Sequence, residues 1–199
     1  MLKVAITGGI GSGKSFVCRK FNELGIPIFY TDDEAKHCYK LPEVQTKVKA
    51  LFGDNIYAED GLIDRKKLAG IIFNDKSQLD AVYEIVLPVL RERFDKWSEE
   101  QTSPYVVCES AILFETKGED NFDVVITVTC PIETRIERAM LRGGINKPDL
   151  IARIENQMSE EEKVQQSDMA IINNGVRNVD EQVKWVHKTL LTITSNLTV

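Results

Sequence analysis

Short apolar runs alternate along the chain with segments whose apolar residues recur at helical spacing. Leu2-Lys3-Val4-Ala5-Ile6-Thr7 reads as a buried strand, and Lys14 to Leu24 reads as a helix with Phe16, Val17, Lys20, Phe21 and Leu24 near one stripe and Gly25 in the C′ position. Ile26 to Tyr30 is a second strand. From Asp32 to about Gln101 the pattern is mostly helical, broken at Gly53 to Gly61 by a polar stretch that fits a short hairpin or a loop. Tyr105-Val106-Val107-Cys108 and Val124-Val125-Ile126-Thr127-Val128 are β-branched runs suited to strands buried on both faces, and Met169-Ala170-Ile171-Ile172 is a fifth. The last helix, about Val179 to Thr194, carries Val179, Val183, Val186, Leu190 and Ile193 on one side. Strand-helix alternation predicts an α/β fold, a parallel sheet with crossover helices, carrying an inserted helical region. There is no internal repeat.

Size and charge narrow the possibilities. At 199 residues and 43% hydrophobic, the chain can bury one core with appendages. A net charge of −6 and an isoelectric point near 5.1 argue against a nonspecific nucleic-acid binder, so anion recognition must come from locally placed Arg and Lys. Cys18, Cys38, Cys108 and Cys130 form no C-x-x-C pair, and the only histidines are His37 and His187, which suggests buried reduced thiols instead of a disulfide framework or zinc site. With no signal-peptide core and no 18-residue apolar stretch, a cytoplasmic protein without a membrane span is expected.

Between the first strand and its helix stands Gly8-Gly9-Ile10-Gly11-Ser12-Gly13-Lys14-Ser15, a complete G-x-x-x-x-G-K-[ST] sequence. Glycines let such a loop turn its N–H groups inward at the positive end of a helix, where they hydrogen-bond a polyphosphate. Lys14 would set a point charge on the β and γ phosphates, and the Ser15 hydroxyl would ligate their Mg²⁺.

Other chemistry gathers at expected strand ends. Asp32 and Asp33 follow the second strand, where a carboxylate can orient an acceptor hydroxyl and take its proton; Thr31-Asp32-Asp33-Glu34 equally fits a helix capping box. Glu109 follows the third strand, a common place for an acid that holds Mg²⁺, whereas Glu115 reads as a solvated loop acid. After Pro131, Ile132, Ile136 and Met140 form an apolar stripe, and Arg135, Arg138 and Arg142 form a row on another face, suited to transferring phosphates or to solvent and nearby glutamates. Arg138, at its centre, is the leading candidate. Gly143-Gly144 and the polar stretch to Gln166 read as a mobile lid. Asn146-Lys147-Pro148-Asp149 imitates a guanine-binding signature but follows no strand, and no D-x-x-G occurs, which weighs against a nucleotide switch. Asn173-Asn174-Gly175 is a turn that could also meet a purine edge.

Over nearly its whole length the chain resembles the dephospho-coenzyme A kinases. The markers are Ile6-Thr7-Gly8-Gly9-Ile10-Gly11-Ser12-Gly13-Lys14-Ser15, Asp32, Ile112-Leu113-Phe114-Glu115, the helix with Arg138 and Arg142, Gln157, and Ile172-Asn173-Asn174-Gly175. The resemblance implies a phosphate-loop kinase core of five parallel strands with helices on both faces (about 1–31, 102–142 and 167–199). It also implies a helical acceptor-binding insertion (about 32–101) and a helical lid (about 143–166). It implies γ-phosphoryl transfer from MgATP to the ribose 3′-hydroxyl of dephospho-coenzyme A by a protein favoured to be a monomer; a nucleoside or nucleoside-monophosphate kinase is the alternative. Gly8, Gly9, Gly11, Ser12, Gly13, Lys14, Ser15, Phe16, Arg142, Asn173 and Asn174 would hold ATP. Ser15 and Glu109 would hold Mg²⁺, and Lys14, Asp32 and Arg138 would be catalytic, Asp32 as general base. Asp32 and Arg65 would meet the acceptor, although Arg65 fits a surface ion pair as well. The chain departs from the family pattern at Tyr30-Thr31-Asp32, where Asp-x-Asp is usual, at Leu87-Pro88 in place of His-Pro, and at Glu109-Ser110-Ala111-Ile112-Leu113 in place of Asp-x-Pro-Leu-Leu.

Overall fold

The computed structural model describes residues 1–72, 75–144 and 146–197, apart from the side chains of Arg65 and Leu197. Its sheet has the strand order β2-β3-β1-β4-β5, with β1 Leu2–Thr7, β2 Ile28–Tyr30, β3 Tyr105–Glu109, β4 Val124–Thr129 and β5 Met169–Ile172. β1 pairs in parallel with β3, from Leu2↔Tyr105 to Ile6↔Glu109, and with β4, from Val4↔Val124 to Thr7↔Thr127; β4 pairs in parallel with β5. Val4, Ala5, Ile6, Val106, Ile126 and Val128 are fully buried, so these runs lack polar alternation because both faces are covered. Thr7, Glu109, Thr129 and Ile172 end their parallel strands along one edge of the sheet.

Two units make up the chain: Met1–Phe29 with Gln101–Val199, and Tyr30–Glu100. In the first unit α1 (Lys14–Glu23) lies against β1, β3 and the terminal helix. Its buried apolar side chains are Val17, Cys18 and Phe21, while Phe16 and Leu24 are exposed, so the stripe is rotated from the expected one. Ala5 and Val125, on the face opposite Val4 and Ile6, pack with Leu113 and Phe114, and Phe122 and Met158 cover that cluster.

The second unit is helical. It contains α2 (Thr31–Cys38), α3 (Pro42–Phe52), a 3₁₀ turn at Asp54–Ile56, α4 (Arg65–Ile72) and α5 (Lys76–Glu99). A single antiparallel bridge, Tyr57↔Ile63, makes the polar stretch a minimal hairpin. Its buried apolar residues include Val44, Val48, Ile56, Leu68, Val82, Val86, Leu90 and Phe94. Asp75 starts α5 by accepting from the Ser77 and Gln78 N–H groups. Thr31 is not the cap position foreseen for it: α2 begins at Thr31, and the cap position falls on Tyr30, whose side chain makes no capping hydrogen bond. Glu34 instead accepts from Arg93 Nε and Nη2 at 2.9 and 2.6 Å.

The remaining helices belong to the first unit: α6 (Ile132–Leu141), α7 (Lys147–Glu155), α8 (Glu160–Gln166) and α9 (Val179–Leu197). On α9 Val179, Val183, Val186 and Leu190 are buried as their spacing predicts. On α6 the expectation fails. Ile132 and Met140 are exposed, and the buried residues are Arg135 and Ala139. A guanidinium tolerates such a place only where its N–H donors find acceptors. None of the helices described is long and apolar enough to cross a membrane.

Candidate active site

The chain between β1 and α1 folds as a tight loop whose glycines are required by contact. Gly13 has φ 96°, and a Cβ there would stand 2.1 Å from Asn173 Nδ2; Gly8 has φ 142°, and its Cβ would meet the Val128 carbonyl oxygen at 2.2 Å. No larger residue fits either place. Gly13 also accepts the first hydrogen bonds of α1, from the Phe16 and Val17 N–H groups, so the loop opens directly onto a helix N-terminus. The Ser12 Oγ is buried and has no hydrogen-bond partner among the described residues. A close-packed glycine cradle with an unused buried hydroxyl at a helix start fits a polyphosphate.

Lys14, 9% exposed, bends back so that its Nζ donates to the carbonyl oxygens of Gly8 (2.9 Å) and Gly9 (3.4 Å) and lies 3.9 Å from Glu109 Oε1. The β1–β3 register sets this pair, with Glu109 opposite Ile6 just before the loop. Ser15, next to Lys14 in the chain, is half-buried. Ser15 and Glu109 supply hard oxygen ligands suited to Mg²⁺. No group of three or more His, Cys, Asp or Glu side chains placed to hold a metal occurs among the described residues, so an ion there would depend on nucleotide phosphates and water. Burial, and then the Glu109 charge, pushes the Cys18 and Cys108 thiols well above the usual range, which leaves both protonated and inert.

The loop is walled by three distant segments. Arg135 Nε donates to the Ile10 carbonyl at 3.0 Å, and its Nη1 lies 3.4 Å from Glu160 Oε1. Glu160 Oε1 also accepts the Gly9 N–H at 2.7 Å, and Gln157 Oε1 accepts the Ile10 N–H at 2.9 Å. From the end of β5, Asn173 Nδ2 donates to the Ser12 carbonyl at 2.8 Å, and Arg138 Nη1 donates to the Asn173 carbonyl at 3.0 Å. An open cleft of about 580 Å³ adjoins this wall, lined by residues including Thr129, Ile132, Arg135, Gln157, Glu160 and Asn174.

The row of arginines is thus three residues in three environments. Arg135 is buried in protein, Arg138 is held at the β5 turn, and Arg142 is exposed at the end of α6. Asn174 caps its own turn by accepting from the Val176 and Arg177 N–H groups. The Phe16 ring is exposed and has Arg19 and Lys20 at 5.8 and 5.7 Å from its centroid. Asp32 lies in the second unit, exposed in the first turn of α2. The Arg65 side chain lies outside the described residues.

Two expectations change, one for Glu115 and one for residues 143–166. Glu115 is no solvated acid: its Oε1 lies 2.8 Å from Nζ of Lys163, which is fully buried, and accepts the Met158 N–H at 2.8 Å. Lys163 Nζ also donates to the Ala111 carbonyl at 3.0 Å, and Ser159 and Glu162 form a capping box, so α8 is firmly anchored. α7, by contrast, is exposed apart from buried Leu150 and half-buried Arg153 and Ile154. Sequence reasoning passed over Glu160 and Lys163 because each sits in a charged run, Glu160-Glu161-Glu162-Lys163, that reads as solvated. The one available signal was the Ser159-x-x-Glu162 pattern, which marks a helix start there.

A family model described as dephospho-CoA kinase matches residues 2–178. A Bacteroides fragilis dephospho-CoA kinase is 33% identical over 184 residues, covering 92% of this chain and 89% of that protein. A Carboxydothermus hydrogenoformans dephospho-CoA kinase is 37% identical over 196 residues, covering 93% and 95%. A crystal structure from Thermus thermophilus superposes with a TM-score of 0.81 at 29% identity, covering 96% of each chain.

Proposed function

The chain belongs to the dephospho-coenzyme A kinase family, and from that premise we propose that it transfers the γ-phosphoryl group of MgATP to the ribose 3′-hydroxyl of dephospho-coenzyme A, giving coenzyme A and ADP in the last step of coenzyme A synthesis. The observation that carries the reading is the glycine cradle of residues 8–15 closing on Lys14 and Glu109, within a family match that spans most of the chain.

In this reading the loop N–H groups and Lys14 hold the β and γ phosphates, and Arg138 and Arg142 stabilise charge on the nucleotide side. Asp32 orients the 3′-hydroxyl and takes its proton as the new O3′–P bond forms and the bond from the γ-phosphorus to the β-phosphate oxygen breaks. Ser15 and Glu109 are the residues that would hold Mg²⁺, which when bound neutralises developing charge on the phosphates. Phe16 flanks the loop, Asn173 and Asn174 serve the adenine side, and Arg65 meets an acceptor phosphate. We place the enzyme in the cytoplasm, as a monomer.

The test is coenzyme A formation from MgATP and dephospho-coenzyme A, with AMP and adenosine as parallel acceptors. Rapid transfer to dephospho-coenzyme A alone, lost in Lys14→Ala, is expected. Transfer only to AMP or adenosine would overturn the acceptor assignment, and near-normal turnover by Lys14→Ala would overturn the site.

A further inference from the structure

The wall behind the phosphate loop has a feature that nucleotide binding does not itself require. Two successive N–H groups, of Gly9 and Ile10, and the Ile10 carbonyl that follows them are all held by side chains from elsewhere: Glu160, Gln157 and Arg135. Glu160 and Arg135 are buried to 8% and 5% exposure and face each other across 3.4 Å. Because Glu160 Oε1 takes both the Gly9 N–H and the guanidinium, the pair grips the donor and acceptor sides of the same turn. The grip is rigid at both ends. Arg135 emerges from the first turn of α6, and a Cβ on Gly11 would touch its carbonyl oxygen at 2.3 Å. Glu160 opens α8, which buried Lys163 ties to Ala111 and Glu115.

We propose that Arg135 and Glu160, with Gln157, are positioning residues that fix the first turn of the phosphate loop, so that the N–H groups further along it, from Gly11 to Ser15, are set for the nucleotide phosphates. They touch the loop and not the reacting atoms. A buried ion pair adds little net stability over apolar residues of the same volume, but it does define one geometry. Small misplacement of groups that hold a transferring phosphate is expensive in rate, with about 1 Å able to lose roughly 100-fold. The proposal rests on the reading that residues 8–15 bind ATP.

The experiment compares Glu160→Ala, Glu160→Gln and Arg135→Lys with the wild-type protein in kcat, in KM for ATP and for dephospho-coenzyme A, in calorimetric affinity for MgADP, and in thermal midpoint. Glu160→Ala should raise KM for ATP and weaken MgADP roughly 10- to 100-fold while leaving KM for dephospho-coenzyme A within about 2-fold. Glu160→Gln keeps an acceptor for the Gly9 N–H and should recover most of that loss. A lowered KM for ATP would mean that the carboxylate competes with phosphate, and would overturn the proposal. So would an unchanged MgADP affinity beside a lowered thermal midpoint, or a Gln variant as impaired as the Ala variant. If Glu160→Ala fails to fold, Glu160→Gln and Arg135→Lys decide: Arg135→Lys, which loses the forked contact, should still weaken MgADP selectively, and wild-type affinity would overturn the proposal. A wild-type protein that makes no coenzyme A would defeat the proposed function, whereas MgADP binding would still decide this one.

Discussion

Replacing Lys163 by Met should be among the most damaging single changes in the chain, and the size of the effect follows from its surroundings. The ammonium is fully buried, 2.8 Å from Glu115 Oε1 and 3.0 Å from the Ala111 carbonyl. Methionine fills similar volume, so little of the loss comes from a cavity. What remains is Glu115, a poorly solvated carboxylate whose Oε2 has no hydrogen-bond partner among the described residues. Stranding one member of a buried pair costs about 3–5 kcal/mol, which includes the lost bond to Ala111 at about 1 kcal/mol. For a domain of this size that lowers the thermal midpoint by roughly 6–20 °C. Lys163→Met combined with Glu115→Gln removes both charges, and the amide oxygen still accepts the Met158 N–H. The double variant should therefore lose only about 1–2 kcal/mol. Urea unfolding of the wild type, both single variants and the double variant measures the coupling. A Lys163→Met protein within about 1 kcal/mol of wild type, or a double variant as unstable as the single, would refute the reasoning.

Gly13→Ala forces a side chain at φ 96° into Asn173 Nδ2 and frees the Ser12 carbonyl; stability should fall about 2–5 kcal/mol in denaturant unfolding, with loss of MgADP binding by calorimetry. Asp32→Asn should retain MgATP affinity within about 2-fold and lower kcat at least roughly 100-fold, and a kcat near wild type would place the base elsewhere. Burial holds His187 below its ordinary pKa while its Nδ1 lies 2.7 Å from the buried Tyr105 hydroxyl. The unfolded chain then takes up a proton first, so this contribution is intact above pH ~6.5 and is lost as pH falls from there toward the folded value. Thermal midpoints measured across that range should show the slope in wild type and a flatter profile in His187→Gln.

The strands were legible because burial on both faces leaves unbroken β-branched runs such as Val124 to Val128, and α9 because Val179, Val183, Val186 and Leu190 keep helical spacing. The phosphate loop was legible because backbone geometry alone demands glycine at fixed places. Helix α6 was misread for a physical reason. Periodicity assumes that apolar side chains face inward, and here an arginine does so because a carbonyl and a carboxylate some distance away in the chain await it, leaving Ile132 and Met140 outside. Glu115 was misread in the same way, since nothing near it in sequence announces Lys163.

The contacts around the phosphate loop also bear on the order in which the molecule can assemble. Residues 9 to 12 are held by partners 125 to 161 positions later in the chain, and β1, synthesised first, is a central strand whose neighbours begin at Tyr105 and Val124. A growing chain thus carries an apolar strand and a glycine loop without their neighbours until the residues from Tyr105 to Thr129 have been made. Pairings this distant in sequence slow folding and leave strand edges open to wrong partners meanwhile. The loop can take its final shape only after β5 has docked, so nucleotide affinity should arise late in refolding, together with the last strand.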